Sequence, residues 1–131
     1  MKQLLTALAL FLTILSCHAQ IIDTTSAKVT MEAHYPGGKP AWLKFLSKTL
    51  RYPDDAINHE IMGDVVVQFQ VDEQGNLSDI HAISGPKKGG LRDEAVRVIT
   101  ASGKWDPMLQ NGVKVKAVLK ETISFKLEVA K

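Results

Sequence analysis

From Asp64 to Asp72 apolar and polar residues alternate strictly, with Val65, Val67, Phe69 and Val71 on one side and Val66, Gln68, Gln70 and Asp72 on the other. A period of two predicts a strand with one buried face. Asp72-Glu73-Gln74-Gly75-Asn76 carries turn residues, so Leu77 to Ser84 is expected to return as a second, less regular strand of a hairpin. Upstream the period changes. Trp42, Leu43, Phe45, Leu46 and Leu50 recur at helical spacing, with Lys44, Ser47, Lys48 and Arg51 opposite, so an amphipathic helix is expected over about 40 to 50, opened by Pro40 as its first residue. Tyr52-Pro53 stops it, because a residue before proline is pushed out of helical geometry, and a short second helix follows with Asp54 and Asp55 in its first turn.

After the loop Gly85 to Gly90, the stripe Leu91, Ala95, Val98 and Ile99 predicts another helix, with Asp93 and Glu94 near its start and Gly103 capping its end. Beyond the turn at Asn111-Gly112 comes one long alternating run, with Val113, Val115, Ala117, Leu119, Ile123, Phe125 and Leu127 on one face and mostly lysine and serine on the other. The order is helix, hairpin, helix, strand. A crossover through the last helix brings the third strand beside the first, giving an α+β fold: a small three-stranded antiparallel sheet ordered two, one, three, with two main helices on one face. That order leaves the last strand at an edge, with backbone N–H and C=O groups open to another chain.

Residues 1 to 19 read differently. Lys2 gives a positive start, Leu4 to Leu15 is almost wholly apolar, and Ala19 precedes Gln20, the pattern of a cleaved export signal. The apolar run is shorter than the roughly 20 residues a spanning helix needs. Cys17 allows a second reading, because Ile14-Leu15-Ser16-Cys17 loosely matches a lipoprotein site at which Cys17 would be lipidated and anchor the protein. The expected location is the periplasm in the first case and a membrane surface in the second. Residues 20 to 36 show no sustained period and read as a flexible or loosely docked leader, which leaves 37 to 131 as the domain.

Composition narrows the function classes. With 131 residues the chain has room for one compact core, and 45% hydrophobic and 23% charged residues are those of an ordinary globular protein. The net charge of +2 falls to +1 without Lys2, so nucleic acid is not an expected partner. Cys17 is the one cysteine and lies in the signal, which leaves the expected mature domain without a thiol, a disulfide or a thiolate metal site. His34, His59 and His81 are scattered without metal-ligand spacing, and Gly85-Pro86-Lys87-Lys88-Gly89-Gly90 lacks the ordered Gly-Lys-Ser/Thr of a phosphate loop. No catalytic residue, metal or cofactor is predicted. Trp42 and Trp105 are expected in the core rather than as ligand platforms.

Motifs recur in a recognisable order: Tyr35-Pro36-Gly37-Gly38; Tyr52-Pro53 with Ala56 and Gly63; Val65-x-Val67-x-Phe69-x-Val71 followed by Gly75; Leu91 with Glu94-Ala95; Trp105-x-Pro107; Gly112-x-x-Val115; and Ile123-x-Phe125-x-Leu127. Over Tyr35 to Leu127 this set resembles the TonB carboxy-terminal domain family. The resemblance implies an envelope protein-binding module that pairs a short extended segment, such as the TonB box of an outer-membrane transporter, along its sheet edge. By that carry-over the edge is Lys116, Ala117, Val118, Leu119, Lys120, Glu121, Thr122, Ile123, Ser124 and Phe125, with Tyr52 and Pro53 as a nearby recognition turn. The same edge could instead pair with a second copy and make a homodimer.

Two departures qualify the resemblance. Family members often carry proline where this chain has Thr122, so the edge keeps one more backbone donor. TonB proper also has a retained membrane helix and a long proline-rich spacer, and neither is read in this sequence. Energy transduction by this chain alone is therefore not expected.

Overall fold

The computed structural model describes residues 30–128. The expected signal, Cys17 and the first part of the leader lie outside the described residues. The elements are β1 (Thr30–Met31), α1 (Gly38–Thr49), α2 (Asp54–Asn58), β2 (Gly63–Val71), β3 (Leu77–Ser84), α3 (Leu91–Ala101), β4 (Met108–Gln110), β5 (Val113–Val115) and β6 (Ala117–Phe125). The fold is α+β, and its main sheet is antiparallel with the order β3-β2-β6.

The strict alternation of β2 explains why this strand is central. Val65, Val67, Phe69 and Val71 are fully buried, while Val66, Gln68 and Gln70 face the opposite side and stay half-buried. Burying each such side chain stabilises the fold by about 1.5–3 kcal/mol. β6 pairs with β2 without a break, from Gly63 opposite Phe125 to Val71 opposite Ala117. β3 is less regular: it carries an extra residue opposite Val66/Val67 and another opposite Gln68/Gln70, where Asp79 adopts a φ of 52°.

Leu91, Ala95, Val98 and Ile99 of α3 are fully buried as one stripe against β2 and β3. Gly103, with a φ of 83°, follows the helix end in the left-handed conformation that suits it there. Two bonds from the Arg92 guanidinium to the Gly85 carbonyl, at 3.0 and 2.6 Å, tie the start of α3 to the end of β3. α1 begins two residues ahead of Pro40, with Gly37 in a left-handed cap, so Pro40 sits inside the first turn, where its missing N–H still costs no helical bond. Pro53 caps α2 rather than occupying its first position.

The long run after Gly112 is not one strand. It divides at Lys116, and Val113–Val115 belongs to a second small sheet ordered β1-β4-β5, while Ala117–Phe125 enters the main sheet. Unbroken alternation hid the division, because a turn between sheets need not disturb the period of two. Residues 30–36, read as leader, are paired in their turn: Thr30 opposes Gln110, Met31 opposes Leu109, and His34 bridges Asp106 through backbone bonds of 3.1 and 2.8 Å.

Five aromatic rings join the layers. Trp105 stands 5.0 Å from Phe69, 5.3 Å from Trp42 and 5.8 Å from Tyr35, and Phe45 stacks on Trp42 at 5.6 Å. Trp42 and Trp105 are buried, as expected. The Trp105 indole N–H donates to Ser102 Oγ at 2.9 Å, so its polar edge is satisfied inside the core.

Candidate functional site

β6 lies at the border of the main sheet: β2 pairs with it on one side, and among the described residues no strand pairs on the other. Its side chains form two rows because strand side chains alternate. Val118, Lys120, Thr122 and Ser124 are exposed on the open face, and Val118 is 58% exposed. Ala117, Leu119, Glu121, Ile123 and Phe125 face the helices, with burial rising from half-buried Ala117 to fully buried Ile123 and Phe125. Lys116 lies one residue ahead of β6, at the division between the two sheets.

Tyr52 and Pro53 sit at the junction of α1 and α2. The Tyr52 ring meets Phe125 edge-on at 5.6 Å, which brings the junction against the end of β6. Its hydroxyl donates to the Ile61 carbonyl at 2.7 Å, and burial pushes its pKa above the ordinary phenol value. Glu94 of α3 holds the same junction from the other side. Its carboxylate accepts the Arg51 backbone N–H at 2.7 Å and two Arg97 guanidinium bonds at 2.8 and 2.7 Å, while Arg97 also donates to the Thr49 carbonyl at 2.8 Å. Burial raises the Glu94 pKa, but those bonds and the arginine charges outweigh it and hold the carboxyl below its usual range.

Against the inward row of β6 the structure opens a cleft of about 200 Å³. Leu119 and Glu121 form one wall, Tyr35, Trp42 and Trp105 the aromatic back, and His34 and Lys39 parts of the rim. Burial pushes the Glu121 pKa up, against the opposing pull of the Lys39 ammonium and the Trp42 indole N–H. Among the described residues the Arg97–Glu94 ion pair and the His–Asp contacts His34–Asp106, His59–Asp55 and His81–Asp79 do not include Glu121. No run of neighbouring residues marks this cleft, whose lining comes from distant segments. Its one local signal is Glu121, which interrupts the inward series Ala117, Leu119, Ile123 and Phe125 with a carboxylate.

The histidines are not brought together. Each donates a ring N–H to a nearby carbonyl and lies close to an aspartate, His34 to Asp106 at 3.2 Å, His59 to Asp55 at 3.1 Å and His81 to Asp79 at 3.6 Å. Among the described residues no group of three His, Cys, Asp or Glu side chains is arranged to hold a metal ion, and no helix is long and apolar enough to cross a membrane.

Comparisons with known proteins agree with this fold. The chain is similar to the carboxy-terminal domain of the Helicobacter pylori TonB protein, residues 179–285, solved in solution by NMR, with a TM-score of 0.55 over 72% of this chain and 89% of that one. At 24% identity the likeness is one of fold. Comparison with curated protein sequences finds no match. The family model described as the Gram-negative bacterial TonB protein C-terminal matches residues 48–127, which spans α2 through β6 and leaves Tyr35-Pro36-Gly37-Gly38 outside the match. The chain therefore belongs to the TonB carboxy-terminal domain family.

Proposed function

We propose that this protein is a periplasmic or envelope-bound binding module that captures an extended segment of another envelope protein by adding it as a strand to β6. A TonB-dependent outer-membrane transporter, through its amino-terminal segment, is the kind of partner the family suggests. The observation that carries the proposal is the open border of β6, nine residues long and paired on one side. Along such a border main-chain hydrogen bonds supply affinity and alternate side chains supply specificity. Lys116 and Lys120 would guard that edge against uncontrolled pairing while it waits for its partner.

Titration of isotope-labelled protein with transporter amino-terminal peptides, followed by NMR, tests this directly. Shifts concentrated in the amides of residues 116 to 125 are expected, and their absence with every such peptide would reject strand capture. A second reading draws on Val118, an apolar side chain 58% exposed beside the same border: two copies could pair there as a homodimer. Light scattering that finds a monomer at all concentrations would remove it.

A further inference from the structure

We propose that the cleft beside Glu121 receives a lysine or arginine side chain from the strand captured at β6, and so selects for a basic residue at one position of that strand. This rests on the proposed capture at β6 and names its specificity.

A strand added to β6 would lie about 4.7–4.9 Å away, with alternate side chains on the same face as the residues opposite them. On the helix side those neighbours are Leu119 and Glu121, which form a wall of the cleft. A side chain of the added strand on that face would therefore stand over the opening. The volume of about 200 Å³ is below the roughly 300–1,000 Å³ typical of small-molecule sites, and suits one long side chain.

The chemistry of the cleft favours a cation. Tyr35, Trp42 and Trp105 supply aromatic surface, whose electron-rich faces attract a cation. Glu121 adds a half-buried carboxylate that has no partner within ion-pair distance among the described residues. Lys39 is exposed at the rim and acts on Glu121 from beyond that distance. An entering ammonium or guanidinium would find the negative charge available and the aromatic lining already in place. An acidic guest would meet the Glu121 carboxylate instead, and an aliphatic one would bring it no counter-charge.

The test uses three extended peptides with blocked ends, alternating valine and threonine and differing at one central residue: lysine, norleucine or glutamate. They are titrated into the protein purified from a bacterial host, with binding read from the β6 amides. The lysine guest is expected to bind roughly tenfold tighter than norleucine, and glutamate weakest. In Glu121→Gln the lysine preference should fall to about threefold or less, with the β6 shifts retained. Lys39→Met, at the exposed rim, should strengthen lysine-guest binding about twofold or more by removing the competing charge.

Equal affinity for lysine and norleucine overturns the cleft assignment while leaving strand capture intact. So does a lysine preference that survives Glu121→Gln at full size, or lysine-guest binding unchanged or weakened by Lys39→Met. Failure of all three peptides to perturb β6 while transporter peptides do so also overturns the cleft assignment, and failure of the transporter peptides sinks strand capture itself and this assignment with it.

Discussion

The Gly75 carbonyl accepts the Trp105 backbone N–H at 3.0 Å, and a Cβ on Gly75 would collide with the Trp105 carbonyl oxygen. The tip of the β2–β3 hairpin is thereby held against the residue that joins α3 to the second sheet. Gly75 also has a φ of 87°, and its turn is closed by Asp72, whose carboxylate accepts the Gln74 and Asn76 backbone N–H groups at 2.9 and 2.8 Å.

Gly75→Ala should therefore cost at least about 1–3 kcal/mol from backbone strain, with the collision added to it. Gly112→Ala is the control, because its φ of 79° is also positive but nothing stands within 4 Å. It should cost about 1–2 kcal/mol. Urea denaturation of both variants measures the difference, and equal costs would mean that the approach to Trp105 is not tight in solution.

Tyr52→Phe removes the hydroxyl that donates to the Ile61 carbonyl and keeps the ring on Phe125. A loss of about 1 kcal/mol is expected, with peptide affinity unchanged. A large loss of affinity at unchanged stability would instead make Tyr52 part of the recognition surface.

Glu94 joins α3 to the α1–α2 junction, and its lowered pKa sets the direction of its pH effect. A carboxyl depressed in the folded state contributes stability above its unfolded value near 4.5, and the contribution is lost as pH falls through the folded value. Glu94→Gln should cost about 1–2 kcal/mol at neutral pH, and the gap to the parent should close on acidification below about 4.5. Thermal unfolding at a series of pH values checks both parts.

Glu121 has the opposite sign. Its pKa is raised by burial, so the stability linked to its proton is fully present below the unfolded value near 4.5 and is lost as pH rises through the folded value. Glu121→Gln should leave the protein equally or more stable at neutral pH, with an advantage that grows as pH is raised from 4.5. A variant less stable than the parent at pH 7 would show that the ionised carboxylate is held by bonds stronger than its desolvation cost.

Much of the fold was legible because the main elements are written in side-chain period. Val65, Val67, Phe69 and Val71 fix β2, and Leu91, Ala95, Val98 and Ile99 fix α3, each by a repeat that matches one local geometry and buries one face. The edge position of β6 followed from element order. The division at Lys116 was not legible, because Val113–Val115 and Ala117–Phe125 share one alternating phase across two sheets. Nor was the strand at Thr30–Met31, where two residues are too few to carry a period.

By itself the sequence determined the inner faces of β2 and α3, since apolar periodicity along an element selects one face whatever that face meets, whereas Leu43 and Val113 of the other apolar runs stay exposed. Only the tertiary structure decided what the inner faces meet. Tyr35, Trp42, Trp105 and Glu121 come from segments up to 86 positions apart and share one cleft because α1, the second sheet and β6 converge there. Side-chain period is a property of neighbours along the chain, whereas the cleft and the carboxylate within it arise from contacts between distant segments, which no local repeat encodes.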